Sequence, residues 1–296
     1  MNAATLVLAV IVIAASAAIP SARGQNPDGM PSMPGMEPPT SPSRPQAPPK
    51  HSDMNGMEKQ VSVKPRNGSP GRAGWPEPVA DDAPYTFALF DLLEYQRIGG
   101  TDALRWDFLG WRGGDRQRLW VKSEGTLYPA ERVGGQADLQ LLYGKLIAPF
   151  FDLQAGIRAE RHEERDASPN RVFAVVGLQG LAPGRFEVEP ALFLSNKGKW
   201  SGRFTASLDL YQTQRLVWQP RFETELAAQR DEEFGVEPGV SDAEFGVRLR
   251  YEVTREFAPS VGVAYRRSFG ATRERVIREG GEPNEVQFIV GVRAWF

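Results

Sequence analysis

The stretch FDLQAGIRAE, residues 151–160, decides how this chain folds, because its side chains alternate between apolar and polar. Its odd-numbered residues, from Phe151 to Ala159, are all apolar. Its even-numbered residues, apart from Gly156, are charged or carry an amide. In an extended chain successive side chains point to opposite faces, so this stretch has one apolar and one polar face. A period of two with one apolar face predicts a β-strand.

The same alternation recurs from Tyr85 to Phe296 and predicts about twelve strands. They cover residues 85–97, 103–112, 117–127, 136–148, 150–162, 171–182, 185–195, 200–212, 215–228, 241–253, 258–270 and 284–296. The first is irregular, because apolar residues from Phe87 to Leu93 occupy both parities. Pro190 and Pro220 fall inside predicted strands, where a proline has no N–H to donate. We therefore expect a bulge or a strand end at each of these prolines.

The connections between the predicted strands alternate in length. Those after the fourth, sixth, eighth and tenth strands are one to four residues long, whereas those after the fifth, ninth and eleventh cover 163–170, 229–240 and 271–283. Short turns at one end and long loops at the other are typical of bacterial outer-membrane barrels. The last strand ends in Trp295 and Phe296, which resembles the carboxy-terminal recognition signal of such barrels. A soluble β-sandwich also shows alternation, but nearly every predicted strand here has both an apolar and a charged face.

We therefore predict an all-β fold for residues 85–296. It is a closed antiparallel outer-membrane β-barrel of about twelve strands, with both ends of the chain on the periplasmic side. One face of each strand would contact outer-membrane lipid and the other would line a wet lumen. The formal net charge of −2 gives no reason to expect a nucleic acid as partner.

Residues 1–24 have the features of a secretory signal peptide. An apolar run over residues 6–18 precedes small residues, and cleavage near Ala17 or Gly24 fits this pattern. An uncleaved amino-terminal anchor is the alternative, although the apolar run is shorter than the roughly 18 residues that a membrane-spanning helix needs. The chain contains no cysteine, so it has no disulfide and no thiolate metal site.

Residues 25–84 are rich in Pro, Gly, Ser and Met and predict a disordered periplasmic tail. All six methionines of the chain lie between Met1 and Met57. Thioether sulfur suits Cu(I), and imidazole suits Cu(II). The predicted copper ligands of the tail are Met30, Met33, Met36, His51, Asp53, Met54 and Met57. A disordered linker with incidental methionines is the alternative interpretation.

Acidic side chains on the polar faces of the strands could line a cation path through the lumen. The candidates are Asp91, Glu94, Asp107, Glu124, Asp152 and Glu160. The alternative is a plugged lumen held by arginine–carboxylate networks, in which no single residue has a transport role. His162 is the one histidine of the barrel region, and we expect it to be a solvated loop residue. Because we find no nucleophile–base motif, we do not expect an enzyme.

The region from about Ala80 to Phe296 resembles the copper resistance protein B family of bacterial outer-membrane proteins. The segments that carry the resemblance are FDLLEY (90–95), WD (106–107), GW (110–111), LWVKSEG (119–125), LY (142–143), IAPF (147–150), DLQAGIR (152–158), GLQGLAP (177–183), TQRL (213–216), QPRFE (219–223), GVRLRYE (246–252), REFAP (255–259) and GVR (291–293). Members of that family often carry a longer Met- and His-rich amino-terminal segment than this chain does.

The resemblance implies copper tolerance. It implies that the tail binds periplasmic copper, as Cu(I) or Cu(II), and that the barrel sequesters it or exports it. It also implies that a periplasmic copper oxidase or copper carrier of the same resistance system is a partner. A general porin, or a structural barrel without a metal role, is the alternative function.

Overall fold

A computed structural model of the chain describes residues 84–129, 134–163 and 170–296. Within these ranges no helix is long and apolar enough to cross a membrane. The predicted signal peptide and nearly all of the predicted tail lie outside the described residues. So do its candidate copper ligands Met30, Met33, Met36, His51, Asp53, Met54 and Met57.

The described residues form almost entirely β-structure. The strands are β1 (Tyr85–Ile98), β2 (Thr101–Gly113), β3 (Gln117–Leu127), β4 (Gly135–Ala148), β5 (Phe151–Glu163), β6 (Asn170–Ala182), β7 (Phe186–Ser195), β8 (Trp200–Leu208), β9 (Leu210–Tyr211), β10 (Leu216–Ala227), β11 (Gly239–Tyr251), β12 (Phe257–Ser268) and β13 (Asn284–Trp295). A 3-10 helix covers Glu232–Phe234, and one α-helix, α1, covers Gly270–Arg278. The two-residue β9 continues the line of β8 along β10, so the sheet has twelve strand positions.

The sheet closes on itself. Consecutive strands pair antiparallel, except that β8 and β9 both pair with β10; β10 also pairs with β11, and β13 pairs with β1. The prediction of a closed antiparallel barrel of about twelve strands is therefore confirmed. Closure gives each strand except the two-residue β9 two partners, so the sheet lacks the open edge of a flat sheet.

The two ends of the barrel differ. At one end, called here the turn end, β1 begins, β13 ends, and the connections 114–116, 149–150, 183–185, 212–215 and 252–256 are five residues or fewer. At the opposite loop end, residues 228–238 contain the 3-10 helix and residues 269–283 contain α1. The predicted long connection over 271–283 is present as residues 269–283, and much of it is helical.

The outer face of the barrel is apolar, and the inner face is polar. Phe288 exposes 66% of its surface, whereas its strand neighbours Gln287 and Ile289 expose 2% each. Val290 of β13 is likewise exposed, and so are Val261 and Val263 of the neighbouring strand β12. A large exposed apolar surface around a polar interior reverses the pattern of a soluble domain and suits a surface solvated by lipid.

The irregular parity of the first strand comes from a bulge at Asp91. The register of β1 shifts against β2 between Phe90 and Leu92, and against β13 between Phe90 and Leu93. A bulge inserts one extra residue on one strand, so the alternation of faces is reset there. Asp91 and Glu94, three residues apart, consequently both take part in ion pairs of the interior.

Neither proline ends its own strand, so the expected bulge or strand end at these positions was wrong. β10 runs straight through Pro220, and the β10–β8 and β10–β9 pairings share one register on either side of it. The interruption lies in the strand that pairs with β10. β8 ends at Leu208 and β9 starts at Leu210, so the predicted strand 200–212 is broken at Asp209. Pro190 similarly lies at a gap in the β6–β7 ladder, between the pairs Gly177↔Ala191 and Gly180↔Val188. A missing N–H interrupts a ladder without changing its register.

Candidate functional site

The lumen is lined by charged side chains because the inward positions of the strands alternate with the lipid-facing ones. On β11, Glu244, Arg248 and Arg250 are buried, whereas Phe245 and Tyr251 between and beside them are exposed. One side of the lumen is instead filled by an apolar cluster of Trp120, Leu142, Phe173, Val175 and Phe193. The lumen is therefore a packed polar interior with an apolar wall.

Several ion pairs span the lumen between strands that are not neighbours. From β2, Arg105 binds Glu223 of β10 at 2.7 Å and Glu244 of β11 at 2.8 Å. From β3, Lys122 binds Glu189 of β7. Two further pairs join opposite walls: Arg203 of β8 with Glu124 of β3, and Arg221 of β10 with Asp107 of β2. We call these the cross-lumen pairs.

Each of the six carboxylates that the sequence suggested for a cation path is engaged by at least one arginine. The partners are Arg221 and Arg293 for Asp91, Arg248 for Glu94, Arg221 for Asp107, Arg203 for Glu124, Arg118 for Asp152, and Arg158 and Arg171 for Glu160. Charge-assisted pairs of this kind neutralise buried carboxylates and hold their side chains in place. The six therefore belong to an arginine–carboxylate network.

Cavities lie inside the network. A cavity of about 280 Å³ opens toward the loop end and is lined by Glu160 among others. A cavity of about 40 Å³ lies toward the turn end and is lined by Asp91. Asp107 and Glu124 line both cavities, whereas Glu94 and Asp152 line neither. Four of the six predicted carboxylates thus face open space in the lumen.

His162 lies inside the barrel, and the expectation of a solvated loop residue was wrong. It is part of β5, its side chain exposes 20% of its surface, and its Nε2 lies 2.6 Å from Oε1 of Glu160. Its ring also meets the ring of Phe234 edge-on at 5.3 Å between centroids. The parity of Arg158, Glu160 and His162 on one face of β5 was the signal in the sequence that pointed inward.

The 228–238 connection folds over the loop end of the lumen. Asp231 and Phe234 are buried there. The Arg171 guanidinium stacks 3.6 Å from the Phe234 ring centroid and reaches Asp231 at 3.4 Å, and Lys199 binds Asp231 at 2.9 Å. We call residues 228–238 the cap. Sequence patterns missed Asp231 because it lies in a predicted connection, where a charged residue is ordinarily solvated.

Among the described residues, no group of three or more His, Cys, Asp or Glu side chains is arranged to hold a metal ion.

The family model and the two related sequences agree with each other. A family model described as copper resistance protein B precursor (CopB) matches residues 84–296. The chain is 42% identical over 221 residues to copper resistance protein B of Escherichia coli, covering 74% of this chain and 72% of that protein. It is 36% identical over 221 residues to the copper resistance protein B homolog of Pseudomonas syringae pv. tomato, with the same coverage of 74% and 72%. Among solved structures, the NanC porin matches with a TM-score of 0.47 and 12% identity, over 69% of this chain and 98% of that one.

Proposed function

Because this chain belongs to the copper resistance protein B family, we propose that it confers copper tolerance at the outer membrane. Its tail takes copper from the periplasm, and its lumen passes the ion outward. The observation that carries the outward route is the excess of carboxylates over arginines around both cavities. Sequestration on the tail needs no such lumen.

The excess is large in each cavity. Nine carboxylates and five arginines line the larger cavity, and five carboxylates and one arginine line the smaller one. The whole chain has a net charge of only −2, so negative charge is concentrated in the lumen. A narrow cleft whose walls carry an excess of one sign of charge raises the local concentration of the opposite ion. The lumen therefore favours cations over anions.

The apolar outer face supports the proposed location. Lipid would cover side chains such as Phe288 and Val290, which water would otherwise have to solvate. β1 begins at the turn end, and this supports the proposal that the turn end, and the tail that precedes β1 in the chain, lie on the periplasmic side. A periplasmic copper oxidase or copper carrier would deliver its ion to the tail at this end.

Copper flux tests the outward route. The full chain is reconstituted into liposomes loaded with copper, and release is compared with that of Asp107→Asn/Glu124→Gln. These changes remove the carboxylates that Arg203 and Arg221 bind at Glu124 and Asp107, although Arg221 keeps Asp91. Less negative charge is then left to attract a cation, so flux should fall several-fold. The control is Asp102→Asn, because Asp102 pairs with Arg97 at the loop-end rim and its side chain is one-third exposed. No release from wild-type vesicles would favour sequestration, and equal release of many small ions would favour a general porin.

Copper binding tests the tail. The full chain in detergent is titrated with Cu(I) and with Cu(II), beside a variant with Met30, Met33, Met36, Met54 and Met57 changed to leucine. Thioethers are soft ligands, so the variant should lose Cu(I) affinity most. His51→Ala should weaken Cu(II) binding and leave Cu(I) binding nearly unchanged. Equal Cu(I) affinity with and without the methionines would indicate that the tail is a linker whose methionines do not bind copper.

A further inference from the structure

We infer that Arg203 and Arg221 close the lumen at a neck between its two cavities, and that a passing cation must replace their guanidinium groups at Glu124 and Asp107. The closure stands on geometry alone. The exchange rests on the proposed function, because it assumes that a cation passes.

The neck is defined by the residues that the cavities share. Asp107 of β2 and Glu124 of β3 are directly paired across the two strands, and both line both cavities. Arg203 lines the larger cavity only, and Arg221 lines the smaller cavity only. One arginine therefore approaches the carboxylate pair from the loop end, and the other approaches it from the turn end.

Both arginines reach the neck from the opposite wall. Four strands, β4 to β7, separate β8 from β3 along the sheet, and four separate β10 from β2 in the other direction. Arg203 binds Glu124 through both terminal nitrogens, at 2.6 and 2.8 Å. Arg221 divides its terminal nitrogens between Asp107 at 2.9 Å and Asp91 at 3.1 Å. The side chains thus cross the lumen between the two cavities.

The two arginines are held firmly. They expose 7% and 8% of their surface, and the two-point contact of Arg203 with Glu124 fixes its guanidinium plane as well as its position. A guanidinium does not deprotonate in a protein, so both arginines keep their positive charge across the physiological pH range.

Passage under these conditions is an exchange of one cation for another. A cation that enters from either cavity finds Asp107 and Glu124 already neutralised, and it must displace a guanidinium to bind them. A divalent ion is attracted to a carboxylate about twice as strongly as a monovalent ion at the same distance. The neck should therefore hold back K⁺ more than it holds back a divalent cation.

Single-channel recording in planar bilayers tests the closure without copper. The full chain in KCl should show low conductance, and Arg203→Ala/Arg221→Ala should raise the K⁺ conductance several-fold while keeping cation selectivity. Arg97→Ala is the matched control, because it removes an arginine from an exposed ion pair at the rim and should change nothing. The swapped variant Arg203→Glu/Glu124→Arg restores a pair in the reverse sense and should stay as closed as the wild type.

Gel migration with and without heating checks that each variant has folded. If the double alanine variant does not fold, Arg221→Gln alone, which keeps a hydrogen-bonding side chain, should still raise the conductance measurably. Unchanged conductance in a folded variant, or a wild type that already conducts as well as the variant, would contradict the closure of the lumen by Arg203 and Arg221.

A failure of this closure can be distinguished from a failure of the proposed function. If a neck variant conducts K⁺ but releases no copper, copper passage is contradicted and the closure at the neck stands. If copper is released but the neck variants leave K⁺ conductance unaltered, the closure is contradicted and copper passage stands.

Discussion

Glu94 and Arg248 form the most deeply buried ion pair among the described residues, since their side chains expose 1% and 2% of their surface. Two Arg248 nitrogens bind the two Glu94 carboxylate oxygens, and Gln96 donates to the same carboxylate. Gly291 of β13 lies so close that an added Cβ would come within 2.7 Å of Glu94 Cγ. The Glu94 side chain therefore packs against the backbone of Gly291, where a larger residue would clash with it.

Removing one partner of this pair should be costly. Arg248→Ala leaves Glu94 charged and unpaired, and we expect a loss of about 3–5 kcal/mol in the free energy of unfolding. Arg97→Ala, which breaks a pair whose arginine side chain is 57% exposed, should cost at most about 1 kcal/mol. Urea unfolding in lipid vesicles, followed by tryptophan fluorescence, measures both. Similar losses in the two variants would show that burial of the pair does not matter.

A second residue-scale prediction concerns Gly125. A Cβ there would come within 2.3 Å of the Trp106 ring and 2.5 Å of the Gln136 carbonyl oxygen, and Trp106 is itself buried and bonded to Ser123. Gly125→Ala should therefore cost about 1–3 kcal/mol of stability through overpacking. The matched control is Gly114→Ala, where nothing lies within 4 Å of the added carbon. The same urea unfolding experiment applies, and equal stabilities would refute the packing argument.

At this scale the sequence predicts which side chains face inward but not what they bind. Alternation alone assigned Asp107 and Glu124 to the polar face. Their partners Arg221 and Arg203 lie 114 and 79 residues away in the chain, and no local pattern carries that information. The distance across a closed barrel is set by strand number and tilt, which are properties of the whole sheet.

At the scale of the elements, the alternation located the long strands to within a few residues. The exceptions have local causes. Helix α1 has no buried residue, so it lacks the apolar face that makes a helix visible in a sequence. The bulge at Asp91 and the break at Asp209 depend on backbone pairing with a neighbour, and a single strand does not reveal its neighbour.

The cap is the element whose attachment can be tested most directly. Arg171 joins β6 to Asp231 and to the Phe234 ring. Arg171→Ala should loosen the cap, so limited trypsin digestion of the folded protein should cut after Arg230 several-fold faster. Arg116→Ala, in an exposed turn at the opposite end, should leave that rate unchanged. An unaltered rate in the Arg171 variant would mean that other contacts, such as Lys199 with Asp231, hold the cap.

At the scale of the whole molecule, the barrel should behave as a membrane protein of closed β-structure. The full chain in detergent should show a β-rich circular dichroism spectrum. It should also migrate differently on gels before and after heating, because a closed sheet resists unfolding by detergent alone. The apolar belt that includes Phe288, at 66% exposure, requires an amphiphile to cover it. A stable monomer in water without detergent would contradict this expectation.

The closed architecture itself could be read from the sequence, because alternating strands and alternating connection lengths occur together in few folds. The packing of the lumen could not. Whether a polar interior is open or filled depends on side-chain reach across the sheet, and only the fold brings Arg105, Glu223 and Glu244 together.

The seam between β1 and β13 has a consequence for the order of assembly. Ala88 and Phe296 exchange two backbone hydrogen bonds, at 3.0 and 2.8 Å, so the barrel is sealed by residues from opposite ends of the domain. Neighbouring hairpins close short loops and form early, whereas this contact closes a loop that contains the entire domain. Until β13 arrives, β1 and β12 both present bare edges that can pair with another chain. The barrel can therefore close only after its last strand has been synthesised, and until then the edges of β1 and β12 need protection from pairing with other chains.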